Sequence, residues 1–169
     1  PQDALFTPHL SLLKQLSYFA QLQGYSHSES QKEALRVLEL MQLREVHDER
    51  ITSLSHGMKK RVAIAQALMG SPELVLLDEP TAGLDPENAR NIRQQIVDLA
   101  AETTFIVSSH NLSELERMCS QVIHLEQGEL KALQAIGTPE GAPQQTLDYL
   151  TLRLQQKNNS IHRKILQLA

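Results

Sequence analysis

Pro72 to Pro86 reads PELVLLDEPTAGLDP: a four-residue apolar run, Leu74 to Leu77, ends in two adjacent acids, Asp78 and Glu79, and a proline follows at once. An apolar run of that length is the pattern of a strand in a covered parallel sheet, and the strand is expected over Leu74 to Asp78. Leu74, Val75, Leu76 and Leu77 are therefore expected to be buried, with the acids at the carboxyl rim, where open α/β sheets bind their ligands.

Working outward, Pro86 to Ala101 reads as a helix with proline in its first turn, and Thr104 to Ser108 as a second strand. Two strands joined by such a helix form a parallel pair whose carboxyl ends share one edge. SSH, Ser108 to His110, leaves that edge beside the acids. Upstream, ITSLSHGMKKRVAIAQALMGSPE (Ile51 to Glu73) spaces Val62, Ile64, Ala65, Leu68 and Met69 helically. That helix begins near Gly57 or Met58 and is stopped by Gly70 and Pro72. Two more helices precede it: Leu10 to Leu22, closed by Gly24, and Ser28 to Met41, with Ser28 as N-cap and Gln31 completing a capping box. Downstream come a short helix from Ser113, and QVIHLEQGELKAL (Gln121 to Leu133), which alternates on both sides of Gln127-Gly128 as a β-hairpin does. GTPEGAP, from Gly137, is a turn-rich linker, and Gln144 to Ala169 is a polar helical stretch interrupted at Lys157-Asn158-Asn159.

Composition bounds the function. The 169 residues are 41% hydrophobic with a net charge of −4, enough for one globular domain and without the basic face that nucleic acid requires. No apolar stretch reaches the about 20 residues of a membrane span, and the N-terminus has no signal-peptide pattern, so a soluble cytosolic chain is expected. A single cysteine, Cys119, excludes an internal disulfide and reads as a small packing residue; the seven histidines lack metal-ligand spacing. Lys59, Lys60 and Arg61 read as a solvated face. The chain begins at Pro1 without an initiator methionine and is expected to be a piece of a longer protein.

Two acids and a histidine at one edge invite three readings. A protein-only metal centre would want more ligands, and the carboxylates of a glycosidase are rarely adjacent on one strand end. Phosphate hydrolysis fits better: one acid holds Mg²⁺, a second orients water, and a histidine contacts the γ-phosphate.

LSHGM (Leu54 to Met58), LVLLDEP (Leu74 to Pro80), AGLD (Ala82 to Asp85) and SSH, in this order and at these spacings, resemble the nucleotide-binding domain of ABC transporters over about residues 1 to 130. The resemblance implies an α/β fold, a P-loop NTPase-like parallel sheet with a helical subdomain, here incomplete at its N-terminal side. Residues 1–136 would be the partial nucleotide-binding domain, with the helical subdomain and signature motif at about 8–57, and 137–169 a linker and helical tail. It further implies that Leu54, Ser55, His56 and Gly57 form the signature motif that contacts the γ-phosphate of ATP on the opposite subunit, a role suited to a helix N-terminus. Asp78 matches the Walker B aspartate that holds Mg²⁺ through water, Glu79 the general base or water-orienting glutamate, and His110 the switch histidine. Asp85 matches the loop linking the two sites. Gln2 matches the glutamine loop, which senses Mg²⁺ and faces the membrane subunit.

The pattern is not reproduced everywhere. His56 and Met58 stand where the family has glycine and glutamine, and Ala82-Gly83 where it has Ser-Ala. None of the seven glycines, at 24, 57, 70, 83, 128, 137 and 141, lies in a loop ending Gly-Lys-Ser/Thr, so the phosphate loop is not among these residues. The chain alone is expected to bind ATP poorly and hydrolyse none, and loss of the strand leading into that loop to expose a sheet edge and apolar side chains.

The resemblance therefore implies the ATPase subunit of an ABC transporter, with ATP and Mg²⁺ as cofactors and a second nucleotide-binding domain and transmembrane permease subunits as partners. It would lie in the cytoplasm, peripheral to the inner membrane, and LSHGMKK and AGLDP lean towards bacterial exporters. Two alternatives stay open: a soluble non-transport ABC ATPase, and a truncated interaction module without ATPase activity.

Overall fold

The computed structural model describes residues 6–126 and 129–136, with side chains described as far as residue 123 and again at 135–136. Gln2 and the tail from Gly137 lie outside the described residues. The chain divides after His110 into two compact units.

In the first unit, α1 (Leu12–Leu22) packs on α2 (His27–Leu40), and α2 on α3 (His56–Ala67). Leu12, Leu16 and Ala20 of α1, Ala34, Val37 and Leu38 of α2, and Met41 are fully buried, joined by Leu43 and, from α3, Val62 and Ala65. Each large apolar side chain so buried contributes about 1.5–3 kcal/mol. Helix starts are set by side-chain caps. Ser11 caps α1, and the N–H groups of Leu12 and Leu13 are satisfied by the carbonyls of Glu49 and His47, both at 2.9 Å. The capping box of α2 is Ser26 with Glu29, two residues earlier than the expected Ser28 with Gln31. The reason is physical: Glu29 reaches back to the Ser26 N–H at 3.0 Å while its own N–H meets the Ser26 hydroxyl, and the pair lowers the Glu29 pKa.

An ion pair joins α2 to the end of α3. Arg36 donates twice to Glu33, at 2.7 and 2.6 Å, and also to the Leu68 carbonyl at 3.1 Å. Glu33 in turn accepts the Gly70 N–H at 2.7 Å. Arg36 hydrogen bonding, ahead of the Gly70 N–H, holds the Glu33 carboxyl below its ordinary pKa. A charged pair thus completes the C-terminus of α3, where carbonyls lack helical partners. Arg61 departs from the expected solvated face: it is half-buried, its Nη1 donates to the Met41 carbonyl at 3.5 Å, and desolvation lowers its pKa.

Strands β1 (Leu74–Asp78) and β2 (Thr104–Ser108) coincide with the expected spans and pair in parallel, Leu74 opposite Thr104 through Asp78 opposite Ser108. Helix α4 (Pro86–Leu99) connects them, capped by Asp85. The expectation that Leu74 to Leu77 is buried throughout is corrected. Val75 and Leu77 are buried, whereas Leu74 is 50% and Leu76 67% exposed. Successive strand side chains point to opposite faces, and among the described residues only one face is covered; Ile106, opposite Leu76, is 46% exposed on the other.

The second unit begins with α5 (Leu112–Met118), followed by β3 (Gln121–Glu126) and β4 (Glu129–Ala135), an antiparallel pair as expected, with a register shift at His124/Leu125. Cys119 is a half-buried free thiol whose pKa burial pushes up. Among the described residues no helix is long and apolar enough to cross a membrane.

Candidate functional site

The strand ends gather three of the expected residues. Asp78 and Ser108 are the last register pair of β1 and β2, and the Glu79 N–H continues the ladder to the Ser108 carbonyl at 3.1 Å. There β1 stops: Glu79 adopts φ 47°, sparsely populated for a non-glycine residue, and Pro80 has no N–H to extend pairing. Such conformations cost about 1–3 kcal/mol and cluster at functional sites. The turn sends the Glu79 carboxylate across to His110. Its Oε1 accepts the His110 backbone N–H at 2.9 Å and meets His110 Nδ1 at 2.8 Å. An ionised carboxylate only accepts, so against it Nδ1 is the ring nitrogen that donates. The Glu79 side chain is 16% exposed and that of His110 83%. Asp78 is exposed, and the Ser108 hydroxyl hydrogen-bonds to its Oδ1.

A second cluster forms around the start of α3. Ser55 is its N-cap, the hydroxyl accepting the Met58 N–H at 3.3 Å, and His56 is its first residue, so the helix begins one or two residues earlier than expected. Leu54 is buried and anchors this end in the core. Gly57 lies against Asn88 of α4: an added Cβ would stand 2.9 Å from both Asn88 Cγ and Oδ1. Asn88 in turn donates its side-chain N–H to Asp85 Oδ2 at 2.6 Å, and Asp85 Oδ1 accepts the N–H groups of Glu87 and Asn88. Hydrogen bonds from Asn88, backbone first, lower the Asp85 pKa. Gly83, at φ 75°, takes a backbone conformation that side chains disfavour and lies beside His56. Two of the departures from the family pattern, His56 and Gly83, are thus neighbours in space.

Asp78, Glu79 and His110 therefore share one edge, and Ser55, His56, Gly57 and Asp85 gather around the α3–α4 contact. Gln2 lies outside the described residues. Two contributors escaped the sequence reading: Asn88, which nothing in the local pattern marks, and Ser108, which equal strand lengths could have placed opposite Asp78.

The donor set suits a hard cation that also takes its ligands elsewhere. Among the described residues no three His, Cys, Asp or Glu side chains group as a metal cage. Mg²⁺ does not ask for one: it binds through one or two carboxylates together with waters and substrate phosphates. Asp78, exposed and oriented by a hydroxyl, fits that role.

A family model described as ABC transporter matches residues 1–82. The chain is 36% identical over 134 residues to the linearmycin resistance ATP-binding protein LnrL of Bacillus subtilis (strain 168), covering 79% of this chain and 43% of that protein. This is an ABC transporter family sequence. The arginine transport ATP-binding protein ArtP of Haemophilus influenzae (strain ATCC 51907 / DSM 11121 / KW20 / Rd) is 34% identical over 129 residues, covering 73% of this chain and 51% of that protein. The dimeric ATP-binding cassette MJ0796, in a post-hydrolysis state bound to ADP and Pi, superposes with a TM-score of 0.66 at 28% identity, covering 78% of this chain and 59% of that one. The chain thus spans about half the length of these ABC relatives, and its α/β fold matches that of the solved cassette over the part covered.

Proposed function

We propose that this chain is part of the ATP-binding subunit of an ABC transporter, which binds and hydrolyses ATP at a head-to-tail dimer interface and drives transport through membrane subunits. The observation that carries the reading is the Glu79–His110 pair at the parallel strand end. Glu79, fixed by the His110 N–H at 2.9 Å, is poised to orient a water and accept its proton, and the His110 ring, held at the same strand end, would contact a phosphate oxygen. Asp78 would hold Mg²⁺ through water. Mg²⁺, when bound, supplies positive charge that neutralises the phosphate oxygens. The phosphate cradle itself is not among these residues, so the 169-residue chain alone is inactive.

The other cluster supplies a complementary half-site. The first-turn N–H groups of α3 carry the partial positive charge of a helix N-terminus, and Ser55 adds a hydroxyl. Gly57 and Asp85, joined through Asn88, tie this anion-binding end to the segment that follows Glu79, so nucleotide engaged by Ser55 in one subunit would be sensed at the acids of the same subunit. Gln2 and the α1–α2 helices would face the membrane subunits, placing the protein on the cytoplasmic face of the inner membrane, with 137–169 as an appended tail. The test is assembly. The Glu79→Gln variant of the whole protein, with ATP, runs as a dimer in light scattering and returns to monomer when ATP is removed. A protein that stays monomeric with ATP at every concentration contradicts the head-to-tail reading.

A further inference from the structure

We propose that Ser108 is a positioning residue that sets the metal affinity of the site by orienting Asp78 and Glu79 together. The inference rests on the metal-holding role of Asp78 given above. A serine hydroxyl has one O–H to donate and lone pairs to accept. Here the Ser108 O–H donates to Asp78 Oδ1, and Ser108 Oγ accepts the Glu79 N–H at 3.3 Å, a donor shared with the Ser108 carbonyl at 3.1 Å. One residue of β2 therefore touches the side chain of Asp78, at the end of β1, and the backbone of Glu79 just beyond it, from the register position directly opposite Asp78. Asp78 is exposed, and without this bond its side chain would sample its rotamers freely. With it, the carboxylate is held in one orientation, with acceptor sites left for a cation or for a water in its shell. The Glu79 N–H bond fixes where the chain turns into φ 47°, and hence where the Glu79 carboxylate points.

Groups that orient metal-holding carboxylates matter almost as much as the carboxylates, and their loss costs about 10–100-fold in metal affinity. The hydroxyl, not bulk or charge, is the active element. Threonine keeps the hydroxyl and suits a strand, whereas valine has threonine's shape without it.

The test uses the whole protein, with Mn²⁺ as the probe, titrated by electron paramagnetic resonance into the ADP-saturated state, so that no turnover is needed. The expected result is a Kd for Mn²⁺ raised about 10–100-fold in Ser108→Ala and Ser108→Val. Ser108→Thr is expected to regain wild-type affinity, and ADP binding measured in EDTA to be unchanged in all three. Wild-type Mn²⁺ affinity in Ser108→Ala, or Ser108→Thr as weak as Ser108→Ala, overturns the role of Ser108 while leaving the site standing. Asp78→Asn separates the two levels: Mn²⁺ binding that survives this change unaltered places the metal elsewhere and overturns the reading of Asp78 together with the inference built on it.

Discussion

Gly57→Ala probes the contact that joins the signature segment to the loop after the acids. The added Cβ would stand 2.9 Å from Asn88 Cγ and Oδ1, closer than real side chains approach, and 3.3 Å from Asn88 Cβ, a tight contact. Asn88 is short and held by Asp85 at 2.6 Å, so relief requires it to rotate and abandon that bond. Overpacking of this kind costs about 1–3 kcal/mol, while alanine in place of glycine in a helix returns at most about 1 kcal/mol. The net expectation is a loss of about 1 kcal/mol, seen as a fall in Tm of about 2–4 °C for a protein of about 150–250 residues. The decisive assay is a double-mutant cycle with Asn88→Ala, read by urea unfolding. With Cγ and Oδ1 gone and only the 3.3 Å contact to Cβ left, Gly57→Ala should become neutral or stabilising, giving a coupling energy of about 1–2 kcal/mol. Costs that add to within about 0.5 kcal/mol would show that Gly57 and Asn88 do not meet, and would remove the link between Ser55 and Asp85.

Two further predictions concern the scaffold. Arg36→Met leaves the Glu33 carboxylate, 11% exposed, with the Gly70 N–H alone, and should cost about 1–3 kcal/mol at neutral pH by equilibrium unfolding. Glu33 has a folded pKa below its ordinary 4.5, so it binds its proton less tightly folded than unfolded. Its contribution is therefore present above that value and lost as pH falls through the folded pKa; the wild type should weaken over that acid range and Arg36→Met less so. On β1, Val75→Ala in the 169-residue chain should cost about 1–3 kcal/mol and Leu76→Ala no more than about 0.5 kcal/mol, because Val75 is 3% and Leu76 67% exposed. Equal costs in thermal unfolding would refute the one-sided covering of the sheet.

How far these features could be read in advance depended on whether their cause was local. The spans Leu74–Asp78 and Thr104–Ser108 agree with expectation residue for residue, because apolar runs bounded by proline, acids and SSH leave little choice. Proline at the start of α4 and the Gly70-Ser71-Pro72 stop were equally plain. The cap of α2 was misplaced because YSHSES (Tyr25 to Ser30) offers serines at both 26 and 28, and of these two only Ser26 has a glutamate three residues on. Burial of the Leu74–Leu77 run was misjudged because hydrophobicity records what a strand can bury, not which faces are covered. At the site, the acids and His110 could be named from their motifs, but the bonds that orient them could not. Ser108 to Asp78 and His110 to Glu79 span 30 and 31 residues, and Gly57 meets Asn88 across a helix–helix contact. Such pairings arise from register and packing, which no local pattern contains.

The most direct measurement is Mg-ATP turnover of the whole protein with and without Glu79→Gln. Glutamine can still accept the His110 N–H, so the geometry at the strand end survives while the ability to take a proton from water is lost. A water-activating base contributes about 10²–10⁴-fold, and turnover in the variant should fall by that amount with nucleotide binding intact. Equal turnover in both proteins, or none in the wild type with its membrane partner supplied, would contradict the claim that Asp78, Glu79 and His110 form a hydrolytic centre.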